Sequence, residues 1–305
     1  MNEPPVVMIK LATGGAVPTT NAAKRVNTDF KLVRLGFGGA AIGLTDYVEQ
    51  FNAGSSQNRA ISIGAIRQAA AGGINYFDTA PGYGNGLSET LMGEALRQVE
   101  TPFFLASKAH LGPAGSIRQS LENSLERLQR DQIDLLQIHG SSYSAEQVEH
   151  ILKPGGVLAE MQQLRDEGLI RYIGFTSEDN NDAVYQLINT GEFDAIQLAY
   201  NLLLQHPYEP TRPFGSLFEA SKRGMLTVTM RTATSGIFQK WMQLVHPSNS
   251  FDYTESLLQF VLSNKLVDVA LVGMRTEAVV QSCLSVLNDR AGRLDIDALW
   301  DRYDI

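Results

Sequence analysis

The 305-residue chain carries 33 acidic against 25 basic side chains, a formal net charge of −8 that argues against nucleic acid and anionic membrane as main partners. Hydrophobic residues at 44% and charged residues at 19% fit a globular protein with a large core, and the single cysteine, Cys283, excludes an intramolecular disulfide. No apolar run approaches the ~18 residues of a membrane span, and the opening MNEPPVVMIK lacks a signal-peptide pattern, so a cytoplasmic enzyme is the expectation.

Residues 1–31 form no regular unit. Within them VVMIKLATGGAVPTT reads as a strand, a Gly-Gly turn and a second extended piece, an N-terminal β-hairpin closing the bottom of the main domain; a tail is the alternative. From residue 32 short apolar runs alternate with longer amphipathic ones. The strands are LVRLGF (32–37), INYFD (74–78), FFLAS (103–107) and IDLLQIH (133–139), then IRYIGF (170–175), DAIQLAY (194–200), MLTVTM (225–230) and VDVALVG (267–273). Helical stretches such as SIRQSLENSLERLQ (116–129) and VLAEMQQLRDEG (157–168) separate them, the second ending on glycine as helix C-termini do. Eight β-then-α units predict parallel strands with helical crossovers, and hence one (β/α)8 barrel over residues 32–305. A doubly wound sheet would want G-x-G-x-x-G in its first turn, and LGFGGAAIG lacks that spacing.

Barrel active sites gather where the strands emit their βα loops. Strand two ends at Asp78 with Tyr83 in the next loop, strand three at Ser107-Lys108, and strand four at His139. Taken singly, these residues fit a rim ion pair and a hydrogen-bonded buried histidine. Together they make chemical sense: an ammonium beside a phenol lowers its pKa from about 10, and a carboxylate holds the ammonium in place. Tyr83 then exchanges a proton at a carbonyl or alcohol oxygen that His139 orients. Such a site suits hydride transfer if a cofactor brings the hydride.

GINYFDTAPGYGNGLSETLMGEAL, the SK at 107–108, RLQRDQIDLLQIH and GLIRYIGFTSE resemble the aldo-keto reductases, over residues 32 to about 285. The resemblance implies a (β/α)8 barrel that binds an extended nicotinamide dinucleotide without a Rossmann fold. It implies Tyr83 as general acid/base, Lys108 and Asp78 as its tuning pair, and His139 as substrate orienter. It further implies Gly38 and Gly39 beside the nicotinamide ribose, and Thr176-Ser177 where relatives carry Ser-Asn against the carboxamide. Gln197 matches the carboxamide-binding glutamine. Met230-Arg231 stands where many relatives stack an aromatic ring on the nicotinamide. TATSGIF (232–238) resembles the loop across the pyrophosphate, with Ser235 as its contact.

Arg275 lies beside a helix start, a favourable seat for an anionic phosphate, and favours NADP(H) with NAD(H) possible. Ser282-Cys283 replaces the acid–Asn pair that relatives set against adenine. The expected activity is carbonyl–alcohol interconversion on a small molecule, with a sugar 1-dehydrogenase as the near alternative. A cofactor-binding sensor barrel and a metal hydrolase using His110, His139 and Asp78 are alternatives of other classes; the second leaves Tyr83 and Lys108 without a role, so no metal is expected. WMQLVHPSNSFDY (241–253) is the expected pocket-lining insertion.

Overall fold

Eight parallel strands close on themselves in chain order in this computed structural model, which describes residues 24–47, 50–208, 215–296 and 298. The strands are β1 (Leu35–Gly38), β2 (Tyr76–Asp78), β3 (Phe104–Ala109), β4 (Ile133–Ile138), β5 (Ile170–Ser177), β6 (Ala195–Ala199), β7 (Leu226–Met230) and β8 (Val269–Gly273). β1 pairs with both β2 and β8, which shuts the barrel. The first crossover holds α1 (Ala40–Gly43) and α2 (Ser56–Ala71), and the next two hold α3 (Leu87–Leu96) and α4 (Ser116–Leu128). α5 (Ala145–Leu152) and α6 (Val157–Asp166) follow β4; α7 (Asp182–Thr190) and α8 (Ser216–Lys222) follow β5 and β6. α9 (Ile237–Val245) and α10 (Thr254–Ser263) come after β7, and α11 (Glu277–Asn288) after β8.

Each strand sends alternate side chains to the barrel interior and to the helix layer. The helix-facing set, including Phe37, Phe77, Leu136, Ile138, Phe175 and Leu198, joins the large outer core. The inward set forms a second core of Tyr76, Phe104, Ala106, Leu135, Ala195, Leu226, Val228, Val269 and Leu271. Gly36 belongs inside because a Cβ there would stand 2.7 Å from Leu271 and 2.8 Å from Val269. Two residues further along, the same inward phase turns polar, to Asp78, Lys108, Gln137 and Gln197, all buried. The period of two therefore delivers the polar groups to one layer above an apolar plug.

Residues 1–23, and with them the body of the expected hairpin, lie outside the described residues. Residues 24–31 contain no strand and cross the barrel bottom instead. There Val26, Phe30 and Leu32 pack on the inner core, and Lys24 bonds Asp268 at 2.7 Å and the Met225 carbonyl at 3.1 Å. No helix among the described residues is long and apolar enough to cross a membrane.

Candidate active site

Lys108 sits on inward-facing β3 with its side chain 1% exposed. Its ammonium donates to both Asp78 oxygens, at 2.8 and 2.7 Å, and to the Thr79 carbonyl at 2.8 Å. Burial opposes that charge, but Asp78 and Tyr83 outweigh it and hold the ammonium above its usual pKa. Burial likewise raises Asp78, against Lys108 and the neighbouring glutamine amides. With both carboxylate oxygens bonded to an ammonium, the pair is ionic at neutral pH.

The loop after β2 brings Tyr83 back over this pair, so that Lys108 Nζ lies 5.0 Å from the phenol ring centre. Gly84, Asn85 and Gly86 make the turn in left-handed conformations, and Tyr83 N–H bonds the Ala80 carbonyl at 3.1 Å. The expected lowering of the phenol's pKa is not what this environment produces. Desolvation pushes Tyr83 above its ordinary value, Lys108 pulls it back only in part, and Asp78 adds to the rise. The group is a protonated phenol at neutral pH.

His139 meets Tyr83 edge-on at 5.9 Å and stacks on His110 at 4.5 Å. Desolvation first, then Lys108 and His110, depress its pKa to about 3, so the imidazole is neutral. A metal reading would need Asp78, whose oxygens Lys108 already holds; among the described residues no group of three or more His, Cys, Asp or Glu is placed to hold an ion.

All four groups open into one cavity of about 690 Å³. Of the residues matched to the cofactor, Gly38, Thr176, Gln197, Met230, Arg231 and Ser235 line it, whereas Gly39, Ser177 and Arg275 stand outside its lining. Gly39 has a packing reason of its own: a Cβ would lie 2.5 Å from Ser88 Oγ and 2.7 Å from the Asp78 carbonyl. Thr176 Oγ1 is engaged with the backbone of Gly140, at 2.6 and 3.0 Å, and Ser177 Oγ with the backbone of Asp179. Arg231 bonds Glu178 at 2.8 Å and Ser235 Oγ at 3.4 Å. Arg231, Thr234 and Ser235 are all left-handed (φ 56°, 58° and 51°), a costly conformation for residues other than glycine and one typical of ligand-shaped loops.

Arg275 is buried beneath Phe51, its guanidinium 3.9 Å from the ring centre, with Nε bonded to the Ala41 carbonyl at 2.9 Å. Thr276 caps α11 beside it, and Ala278, Val279, Ser282 and Cys283 of that helix do line the cavity. Burial raises the Cys283 thiol to about 12, so it is an inert wall. From the expected insertion at 241–253 only Asp252 reaches the lining; Trp241 and Leu244 point outward on α9, 53% and 78% exposed.

Three participants escaped the sequence reading. Gln137 lies under the site and donates toward Asp78 Oδ1 at 3.4 Å and Gln197 Oε1 at 3.2 Å. Its signal was present, as a polar residue near the end of an apolar strand, in phase with His139. Tyr47, 3.4 Å from Ser235 Oγ, and Glu178, the last residue of GFTSE, line the mouth.

A family model described as the aldo/keto reductase family matches residues 34–270. L-galactose dehydrogenase of Arabidopsis thaliana is 27% identical over 296 residues, covering 86% of each chain. The NADH-specific methylglyoxal reductase of Escherichia coli is 33% identical over 203 residues, 58% of this chain and 57% of that one. An aldo-keto reductase of Klebsiella pneumoniae solved with NADPH shares the fold, with a TM-score of 0.68 at 20% identity over 92% of this chain and 93% of the other.

Proposed function

The chain belongs to the aldo/keto reductase family, and from that premise we propose that it interconverts a small carbonyl compound and its alcohol with a nicotinamide dinucleotide, NADP(H) in preference to NAD(H). The observation that carries this reading is the buried Lys108–Asp78 pair beneath the Tyr83 phenol, with neutral His139 alongside, in one open cavity. The cavity fits such a cofactor. Gln197 offers an amide for a carboxamide, Met230 a flat-packing thioether, and the first turn of α11 adjoins the wall.

When bound, the reduced cofactor supplies the hydride to the carbonyl carbon. The protein's part is to manage the oxygen. His139, with one N–H as a neutral imidazole, donates to the carbonyl oxygen and fixes its position. As negative charge gathers there, Tyr83 releases its proton to it, and the Lys108 charge stabilises the phenolate left behind. Asp78 keeps that ammonium in place. In the oxidative direction the proton runs back along the same path. Near neutrality the buried phenol is protonated, the form that the reductive half of the cycle requires.

Sugar oxidation at the anomeric carbon is the second reading, favoured by the hydrogen-bonding groups at the mouth: Tyr47, Glu178, Arg231 and Asp252. L-galactose dehydrogenase is among the relatives. A panel of aldehydes, ketones and sugars, run with both reduced and both oxidised cofactors and followed by nicotinamide absorbance, tests both. No turnover on any member, with cofactor bound, would leave the sensor reading in their place.

A further inference from the structure

Gln137 is fully buried on β4, yet β4 touches neither β2 nor β6. Its side chain reaches both. On one side Nε2 approaches Asp78 Oδ1 at 3.4 Å; on the other it approaches Gln197 Oε1 at 3.2 Å, passing over β5. The passage exists because β5 has Gly174 there, where a Cβ would press on Gln137 Cγ at 3.3 Å.

The order of donors and acceptors in this chain has one solution. Asp78 is ionised against Lys108 and can only accept, so Gln137 must turn its NH₂ group toward it. The same NH₂ then faces Gln197, which must answer with its carbonyl oxygen. That leaves the Gln197 NH₂ 3.7 Å from Met230 Sδ at the cavity wall, from where it also supports the Asp78 carboxylate. Reversing Gln137 would set oxygen against oxygen, and reversing Gln197 would set N–H against N–H. Gln137 Oε1 is left buried without a partner among the described residues, a cost that an apolar side chain at this position would avoid.

We propose that Gln137 is a positioning residue that passes the charge of the Lys108–Asp78 pair to Gln197, so that Gln197 presents donor hydrogens, and not its oxygen, to the nicotinamide carboxamide. The inference rests on the reductase reading. It goes beyond it by tying cofactor orientation to the ionisation of the proton-transfer site.

Two variants test it. Gln137→Met keeps length and approximate volume but has no donor, so the Gln197 amide is no longer held. NADPH should then bind roughly three- to tenfold more weakly, the size of one neutral hydrogen bond. kcat should fall at least as far, from misplacement of the ring. Gln137→Glu places a carboxyl between Asp78 and Gln197, with Lys108 the nearest cation. Protonated, it supplies one O–H where the amide supplies two N–H groups, and so restores one of the two bonds; ionised, it repels both oxygens. Its NADPH affinity should therefore recover part of the way toward wild type at low pH and decline to the Gln137→Met level as pH rises through the added carboxyl's pKa, which burial and Asp78 lift above about 4.3. Binding is measured by calorimetry without substrate, with melting temperature recorded alongside.

A pH-independent ratio of Gln137→Glu to wild-type affinity would overturn the proposal, as would Gln137→Met binding NADPH like wild type. If Gln137→Met does not fold, the glutamate variant's titration decides alone. Wild type that binds NADPH but reduces no carbonyl would sink the reductase reading, while the binding measurements still judge Gln137.

Discussion

Replacing Lys108 by methionine shortens the side chain by one atom and removes its charge from a site where both partners are almost fully buried, at 1% and 3% side-chain exposure. Little cavity is created, so the consequence is electrostatic. Asp78 loses two bonds of 2.7–2.8 Å and the group that most opposes its desolvation. Breaking a buried pair from one side costs about 3–5 kcal/mol, or roughly 5–8 °C in Tm for a chain of this size. The loss must depend on pH. Without Lys108 the Asp78 carboxyl rises further above its unfolded value, so the folded form binds a proton that the unfolded one releases. The variant is relatively stabilised below the unfolded value and loses that support as pH rises through the folded one. Adding Asp78→Asn removes the stranded charge, and the double variant should melt above Lys108→Met at pH 7.5 while remaining as inactive. Turnover should fall by ~10²–10⁴-fold in both. Scanning calorimetry at pH 5 and 7.5 with steady-state kinetics decides the matter. A double variant no more stable than the single, or a Lys108→Met enzyme with near-normal kcat, would refute the reasoning.

Tyr83→Phe removes one hydroxyl and leaves the ring over Lys108, so turnover should drop by ~10²–10⁴-fold while NADPH affinity by fluorescence titration stays within about twofold. Arg275→Ala should weaken NADPH by one to two powers of ten and spare NADH if the guanidinium leaves Phe51 to meet a 2′-phosphate; equal losses for both cofactors would make it a strut for the Ala41 carbonyl. His139, depressed to about 3 in the folded protein against an ordinary 6.5, contributes stability that is complete above pH 6.5 and is lost as pH falls toward 3. Between pH 7 and pH 5 that amounts to at most about 2 kcal/mol in urea unfolding, and His139→Asn should remove that share of the slope.

How far the sequence spoke for the structure depends on where each side chain is rooted. All eight strands stand within three residues of their expected ends, because a parallel barrel strand buried on both faces is a short apolar run with nothing else to resemble. Asp78, Lys108 and His139 lie in or directly after such strands, and alternation alone sends them inward. Gln137 obeys the same alternation and could have been found by it. The features whose setting was not legible belong to another class. Thr176 and Ser177 carry the expected hydroxyls, yet neighbouring backbone claims them. Arg275 stands at a true helix start, capped by Thr276, but its direction is set by Phe51 from a loop more than two hundred residues earlier. The sign of the Tyr83 shift follows from how much water the folded loop excludes, a quantity with no local signature. Strand-borne groups inherit their direction from the backbone, whereas loop-borne groups take theirs from whatever packs against them. In this barrel the Lys108–Asp78 pair is therefore rooted in strands, whereas Tyr83 and the proposed outer cofactor contacts hang on loops.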